Sequence, residues 1–266
     1  MWRIVRARFQ QGHRTMRYPK EAAPPLPDRF RGRPQIDSAK CDEGCRACAE
    51  ACPTDAIGIA PEAPPKIDLG RCLFCTDCVE ACPTGAMSYS ADHRLAARHR
   101  DDLVVDPRST TLALAKALDD KTRRLFGRSL KLRQVSAGGC NGCESDVNVL
   151  NTIGWDLGRF GIQFVASPRH ADGLLITGPV TGNMRLALEK TWAAVPAPKI
   201  VIAVGACAIS GGPYLGHPEQ QGGAAGSVPV DLYVPGCPPH PITILDGLLR
   251  LLGRMEEGGW RGRSAP

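Results

Sequence analysis

Two cysteine-rich runs constrain this chain more than any other feature. The first reads CDEGCRACAEACP and begins at Cys41; the second reads CLFCTDCVEACP and begins at Cys72. In each run, three closely spaced cysteines are followed by a fourth and then at once by proline. An iron-sulfur cube is small, so one loop can bind three of its corners while the fourth thiolate arrives from a distant segment. The runs therefore predict two clusters that share their ligands crosswise.

This arrangement is that of the bacterial two-cluster ferredoxins, in which the fourth cysteine of each run binds the other cluster. We predict one 4Fe-4S cluster on Cys41, Cys45, Cys48 and Cys82, and a second on Cys72, Cys75, Cys78 and Cys52. The first run has one residue more than usual between its first two cysteines, so a bulge is expected near Gly44. Zinc sites and a disulfide framework are the alternatives. The cysteine triplets followed by Cys-Pro disfavour both.

Length and composition predict about two domains and no membrane span. The chain has 266 residues and is 43% hydrophobic, which is enough for a packed core. It contains no run of eighteen apolar residues. The first residues show neither the apolar core of a signal peptide nor a twin-arginine signature. We therefore expect the protein in a reducing cytoplasm, where free thiols can bind metal.

The net charge of +6 is concentrated at the start of the chain. Residues 1–40 contain ten lysines and arginines against three acidic residues, and large apolar residues such as Trp2 and Phe9 are interspersed. Such a segment favours docking on an anionic membrane surface or a partner subunit; the alternative is a solvated arm. The proline-rich residues 18–34 predict an extended strap. Nucleic-acid binding is not expected, because no nucleic-acid-binding module accompanies the charge.

The strap and the cysteine runs together resemble a known family. The sequences GHRT, YP and FRGRP ahead of the double motif resemble the ferredoxin-like subunits of respiratory complex I and formate hydrogenlyase, where the strap lies against neighbouring subunits. We therefore assign residues 1–40 to a basic, proline-rich docking arm and residues 41–105 to a two-cluster ferredoxin-like α+β domain. Residues 106–129 are assigned to a linker, with a helix over 109–129 capped by Ser109 or Thr110. His93 and His99 are predicted to lie on the surface.

The second half of the chain alternates short apolar runs with helical stretches. Strands are predicted at 130–135, 162–166, 173–177, 199–204 and 232–234, with helices at 145–160, 184–194 and 242–255. This alternation predicts an α/β domain over 130–266 with a parallel sheet covered on both faces.

The remaining cysteines are Cys140, Cys143, Cys207 and Cys237, and each follows a predicted strand. Residues after parallel strands converge at one edge of the sheet, so these four thiolates predict a third 4Fe-4S site. The alternative is a thioredoxin-like pair with two ordinary buried thiols. Glu144 lies at a predicted helix start, where its negative charge is favourable to the helix dipole. The alternative interpretation is a role in proton transfer or at an interface. His170, His217 and His240 are taken as structural.

The flanking sequences GGCNGCE, GACAISGG and VPVDLYVPGCPPHP resemble the small subunit of the membrane-bound NiFe hydrogenase in formate hydrogenlyase. More distantly, they are similar to the complex I 20 kDa subunit, which holds the last cluster before quinone. The resemblance covers residues 130–252 and implies a flavodoxin-like sheet. With the ferredoxin resemblance over residues 12–105, the chain looks like two normally separate subunits fused. The C-x2-C pair favours the hydrogenase branch, since the complex I subunit has adjacent cysteines there.

These resemblances imply an electron-transfer subunit with three 4Fe-4S clusters in a membrane-associated NiFe hydrogenase complex. The expected partners are a hydrogenase large subunit or a complex I 49 kDa-like subunit, integral membrane subunits, and a formate or carbon monoxide dehydrogenase as donor. The expected location is the inner face of the cell membrane. No catalytic residue is predicted, because no cysteine is left to bind nickel. The alternatives are a complex I-like NADH-quinone oxidoreductase subunit without nickel and a free polyferredoxin carrier.

Overall fold

The computed structural model describes residues 2–12, 14–60, 63–108, 112–126, 128–256 and 259–260. The chain begins with helix α1 (Trp2–Gln11). An extended segment then leads to strand β1 (Pro34–Ile36), and residues 14–33 contain no helix or strand. The predicted strap is therefore extended, as its prolines require. No helix in the described part of the chain is long and apolar enough to cross a membrane.

A small α+β unit follows, made of very short elements. In chain order these are α2 (Ala47–Glu50), β2 (Ile57–Gly58), β3 (Lys66–Asp68), α3 (Asp77–Glu80), β4 (Met87–Tyr89) and β5 (Val104–Val105). Strand β1 pairs antiparallel with β4, and β3 lies between β2 and β5. Strand β1 lies within the predicted arm of residues 1–40 and joins this unit by pairing with β4.

The second half folds into a parallel sheet with helices. It starts after α4 (Asp120–Phe126) and contains β6 (Leu130–Ser136), α5 (Gly142–Val149), β7 (Ile162–Phe164), β8 (Gly173–Thr177), α6 (Gly182–Ala194), β9 (Ile200–Val204), α7 (Ala206–Ser210), β10 (Leu232–Val234) and α8 (Pro241–Leu251). A hairpin of β11 (Met255–Glu256) and β12 (Gly259–Trp260) follows. The strand order is β10-β9-β8-β6-β7, which is the flavodoxin-like order. All five predicted strands and the α/β class are confirmed.

The predicted linker helix over residues 109–129 is wrong for most of its length. Residues 112–119 contain no helix, and α4 covers only the end of the segment. Instead, the amide of Ala115 donates to the carbonyl of Ala96 at 2.7 Å, and that of Leu118 to Leu251 at 2.9 Å. Both side chains are buried, so packing against the α/β core overrides the helical periodicity. The predicted cap residues Ser109 and Thr110 lie outside the described residues.

The helix predicted over 145–160 is also shorter than expected. Helix α5 begins three residues earlier and ends at Val149, and a separate 3-10 turn spans Leu157–Phe160. Asp156, just before this turn, has a φ of 48°, a left-handed conformation that a continuous α-helix over 145–160 could not contain.

The ferredoxin-like unit and the α/β domain share one packed interface. Ala97 and Tyr233 exchange both backbone hydrogen bonds at 3.0 and 2.9 Å, which extends the edge of the parallel sheet beyond β10. The hydroxyl of Ser210 donates to the carbonyl of Gly70 at 2.8 Å. Buried apolar side chains of both halves, including Ile67 and Ile209, belong to a single hydrophobic cluster. The two halves are therefore packed as one body.

The strap binds both halves of its own chain. Arg159 donates to the carbonyls of Met16 and Tyr18, the latter at 2.7 Å. Further along, Arg31 donates to the carbonyl of Phe74 at 2.9 Å. The resemblance implied contact with neighbouring subunits; the structure shows that the strap contacts both halves of its own chain.

His93 and His99, which lie between β4 and β5, have different environments. His99 is exposed, as predicted. The prediction for His93 is wrong, since its ring is half-buried and packs edge-on against Tyr18 with centroids 5.8 Å apart. The strap covers this position, which the sequence around His93 does not reveal.

Candidate iron-sulfur sites

The first candidate site is a small pocket in the ferredoxin-like unit. It is lined by the four cysteines predicted to bind one cluster, Cys41, Cys45, Cys48 and Cys82. Helix α2 carries Cys48, whereas Cys82 comes from the second run, just after α3. The short helices thus bring the distant fourth thiol to the loop of three.

The second candidate site is a small pocket with the same construction. Its lining includes the other predicted set, Cys72, Cys75, Cys78 and Cys52. The crossed arrangement expected from the sequence is therefore present in the fold.

Hydrogen-bond donors point at the fourth cysteine of each run. The amide of Ala56 donates to Sγ of Cys52 at 3.2 Å, and that of Ala86 donates to Sγ of Cys82 at 3.2 Å. A threonine hydroxyl accompanies each amide, 3.9 Å from Cys52 and 3.8 Å from Cys82. Such donors stabilise the negative charge of a thiolate and tune the potential of a bound cluster.

Tyr89 is a site residue that the sequence did not reveal. Its hydroxyl lies 3.9 Å from Sγ of Cys72 and 4.0 Å from Sγ of Cys78, both in the second site. The amide of Phe74 also donates to Cys72, at 3.4 Å. Burial raises the pKa of Tyr89, and the neighbouring thiolate charges raise it further, so the phenol keeps its proton. A comparison of the two repeats would have pointed to this residue, since Ile59 stands at the equivalent position.

The third candidate site lies at the carboxyl edge of the parallel sheet. Cys140 and Cys143 follow β6, Cys207 follows β9 and Cys237 follows β10. Burial raises the pKa of Cys207 to about 11, and the charges of Cys237 and Cys140 add to this effect. Cys140 and Cys237 are exposed. The structure therefore brings all four predicted residues together at an edge that opens to the surface.

Glycines make room for the sulfur atoms of the third site. Gly205 has a φ of +91°, and a Cβ added there would lie 2.4 Å from Sγ of Cys143. Gly212 has a φ of +56°, and its added Cβ would lie 2.8 Å from Sγ of Cys207. Any larger residue would collide with a thiol and strain the backbone at both positions.

Glu144 lies beneath the third site and is buried. Its Oε1 accepts hydrogen bonds from the hydroxyls of Ser136 at 2.6 Å and Thr177 at 2.7 Å. Burial acts to raise the pKa of this carboxyl, but the two hydroxyls outweigh burial and the pKa is lowered. Glu144 is thus a hydrogen-bonded carboxylate at the point where the strand order reverses between β6 and β8.

The three histidines that we predicted to be structural, His170, His217 and His240, make local contacts or lie exposed. Nδ1 of His240 accepts from the amide of Ile242 at 3.2 Å and caps α8. Nδ1 of His217 accepts from the amide of Glu219. His170 is exposed.

The donor sets suit clusters better than single ions. In the described part of the chain, no three His, Cys, Asp or Glu side chains are close enough to hold one metal ion. Zinc requires four ligands around a single centre, whereas each thiolate of a 4Fe-4S cluster binds a different iron. Four cysteines spread around a pocket, with amides and hydroxyls directed at sulfur, fit a 4Fe-4S cluster.

The second site is close to both of the others. Helix α2, which carries Cys48 of the first site, packs against helix α3, which carries Cys78 of the second site. Cys237 of the third site lines the same pocket as Phe74, which lies between Cys72 and Cys75 of the second run. The second site is therefore adjacent to both the first and the third.

The fold and these sites define an iron-sulfur electron-transfer protein. Residues 19–86 match the family described as 4Fe-4S dicluster domain. Residues 140–251 match the family described as NADH ubiquinone oxidoreductase, 20 Kd subunit. The chain is also 41% identical over 134 residues to "Probable membrane-bound hydrogenase subunit mbhJ" of Pyrococcus furiosus, covering 50% of this chain and 80% of that protein. The chain belongs to this 20 Kd subunit family, with a dicluster ferredoxin domain fused ahead of it.

Two further relatives represent the hydrogenase branch and the complex I branch of the family. Formate hydrogenlyase subunit 7 of Escherichia coli is 46% identical over 130 residues, covering 49% of this chain and 51% of that protein. The chain thus spans about half the length of that relative. An NADH-quinone oxidoreductase subunit of Heliobacterium modesticaldum is 38% identical over 115 residues, covering 43% of this chain and 66% of that protein. The protein is an electron-transfer subunit of the hydrogenase and complex I-like family.

Proposed function

We propose that this chain carries electrons through three 4Fe-4S clusters in a membrane-associated NiFe hydrogenase complex of the formate hydrogenlyase type. The observation that supports this proposal most directly is the proximity of three sets of four cysteines, with the second set adjacent to the other two. The ligands would be Cys41, Cys45, Cys48 and Cys82; then Cys72, Cys75, Cys78 and Cys52; then Cys140, Cys143, Cys207 and Cys237.

Each bound cluster would supply transfer of one electron at a time, without moving a group of atoms. The protein's own residues would hold and tune the clusters. The twelve thiolates bind iron, and the amides of Ala56 and Ala86 stabilise sulfur charge in the ferredoxin-like unit. Gly205 and Gly212 keep space open at the third site.

The exposure of the third site supports contact with a catalytic partner. Cys140 and Cys237 reach the surface, so a cluster there would be covered by a large subunit carrying the NiFe centre. At the other end, Asp42 and Glu43 beside the first site are exposed, which leaves that end open to a formate or carbon monoxide dehydrogenase module. Electrons would pass between these two surfaces.

Helix α1 supports a location on the inner face of the cell membrane, beside integral membrane subunits. Trp2 and Phe9 are 81% and 83% exposed and share a helix face with Val5. Three arginines lie between them in the sequence. A helix with aromatic residues on one face and arginines beside it binds anionic lipid headgroups. The full chain should float with anionic vesicles, and replacing Trp2 and Phe9 with Glu should abolish flotation; unchanged flotation would contradict this location.

The decisive experiment isolates the complex anaerobically through a tag on this chain and measures nickel and iron. Stoichiometric nickel with abundant iron is expected. In parallel, Cys237→Ala should remove one cluster signal from the electron paramagnetic resonance (EPR) spectrum while the other two remain. Three intact signals in this variant would contradict the third ligand set.

A quinone-reducing complex without nickel is the second candidate. The similarity to the NADH-quinone oxidoreductase subunit of Heliobacterium modesticaldum favours it. Abundant iron without nickel in the isolated complex would select this candidate over the hydrogenase. A free polyferredoxin carrier would instead purify alone.

A further inference from the structure

The internal repeat of the ferredoxin-like unit allows the two cluster sites to be compared position by position. Residues 48–59 read CAEACPTDAIGI and residues 78–89 read CVEACPTGAMSY. The alignment pairs Thr54 with Thr84 and Ile57 with Met87, and it places Ile59 opposite Tyr89. The fold follows this repeat, since each segment contains a short helix and then a strand.

The linings of the two cavities follow the same correspondence. The second cavity is lined by Thr54 and Ile57, and the first by their counterparts Thr84 and Met87. Each site also receives one threonine hydroxyl and one amide from the crossed cysteine segment. Tyr89 breaks this symmetry: it lines the second cavity, while its counterpart Ile59 has no hydroxyl to offer the first.

The hydroxyl of Tyr89 is held beside two ligand sulfurs of the second site. Its distances to Cys72 and Cys78 are 3.9 and 4.0 Å, and its ring packs on Phe74 with centroids 6.1 Å apart. A thiolate bound to iron carries no proton, so the phenol is the only possible donor in these pairs. A hydrogen bond to sulfur stabilises the cluster more strongly when reduction has added a negative charge.

We propose that the Tyr89 hydroxyl raises the reduction potential of the second cluster above that of the first, so that an electron on this pair resides on the second cluster. The inference rests on the proposed function, in which both sites hold 4Fe-4S clusters. One electron leaves the reduced first cluster and enters the oxidised second cluster. No covalent bond forms or breaks, and the phenol keeps its proton. The electron is thereby held beside the third site.

The test is an anaerobic redox titration of the full chain followed by EPR. Tyr89→Phe removes only the hydroxyl and should lower the reduced-to-oxidised ratio of the second cluster about tenfold at a fixed potential, which is ~59 mV for one electron. The first cluster should not change. Thr84→Val is the matched control, because its hydroxyl faces Cys82 and its loss should lower the potential of the first cluster instead.

An unchanged second-cluster potential in Tyr89→Phe overturns the inference, and so does an equal shift of both clusters. A wild-type chain without any 4Fe-4S signal contradicts the proposed function instead. If the variant does not assemble its second cluster, pulsed EPR of the unmodified chain in D2O provides the test. A stronger exchangeable deuteron coupling at the second reduced cluster than at the first is expected; equal couplings overturn the inference.

Discussion

The hydroxyl of Tyr18 lies 3.4 Å from Oδ1 of Asp246, although 228 positions separate these residues in the chain. The same hydroxyl is 3.3 Å from Nε2 of His93. Tyr18 belongs to the strap, His93 lies between β4 and β5 of the ferredoxin-like unit, and Asp246 is fully buried in α8. One side chain thus joins three distant parts of the chain.

Replacing Tyr18 with Ala should destabilise the protein by about 3–5 kcal/mol, because the ring is 6% exposed and its removal leaves a cavity. Tyr18→Phe keeps the ring and loses only the hydroxyl, so it should cost about 1 kcal/mol. Thermal midpoints of the anaerobic proteins would measure both changes. Equal midpoints for the two variants would show that the ring contributes little, contrary to this expectation.

Gly205→Ala should prevent assembly of the third cluster and spare the other two, because its Cβ would lie 2.4 Å from Sγ of Cys143. Gly216→Ala is the matched control, since Gly216 has a φ of +83° but open space around its Cβ position. Iron content and EPR would distinguish them. The first variant should lose one cluster's share of iron and the second should lose none; full iron content in Gly205→Ala would refute the prediction.

Asp246→Asn should cost about 3–5 kcal/mol, since it leaves the buried Arg250 without its charged partner. The Arg250 Nε to Asp246 Oδ2 distance is 2.7 Å, and the two side chains are 3% and 0% exposed. The control is Glu189→Gln in the Arg185–Glu189 pair, which has the same spacing along its helix but is 54% and 39% exposed. That change should cost about 0.5 kcal/mol or less. Comparable thermal midpoints for the two variants would contradict the prediction.

Removing iron with a chelator should unfold the ferredoxin-like unit before the α/β domain. The strands of the former are two or three residues long, so its core depends on the clusters. The sheet of the latter includes the fully buried strands β8 and β9. Hydrogen exchange should show lost protection in residues 41–89 and retained protection in β8, β9 and α8. Simultaneous loss in both regions would show that the shared interface couples their unfolding.

The strands and the cysteine sets could be predicted because both depend on local sequence. Alternating apolar and helical stretches define the strands of a parallel sheet, and residues that follow such strands must meet at one edge. Cysteine spacing likewise limits which thiols one loop can bring together. The cavities and the carboxyl edge of the sheet follow from these two rules.

The contacts that could not be predicted from the sequence join residues that are distant in the chain. Glu144 binds Ser136 and Thr177, which are register partners only because β8 lies directly beside β6. Residues 112–119 have helical periodicity, but their amides bond to Ala96 and Leu251 instead. The position of Tyr18 depends on Asp246 in the same way. Strand order, register and strap path are set by tertiary packing, which no single segment encodes.

The crossing of Cys52 and Cys82 has a consequence for the maturation of the protein. Cys82 lines the first site, but it follows Cys78 of the second site by only four residues, across the end of α3. Insertion of the first cube would therefore immobilise a ligand segment of the second, and the converse holds for Cys52 and Cys48. We expect cluster loading to be cooperative, so that newly made chains accumulate with both ferredoxin clusters or with neither.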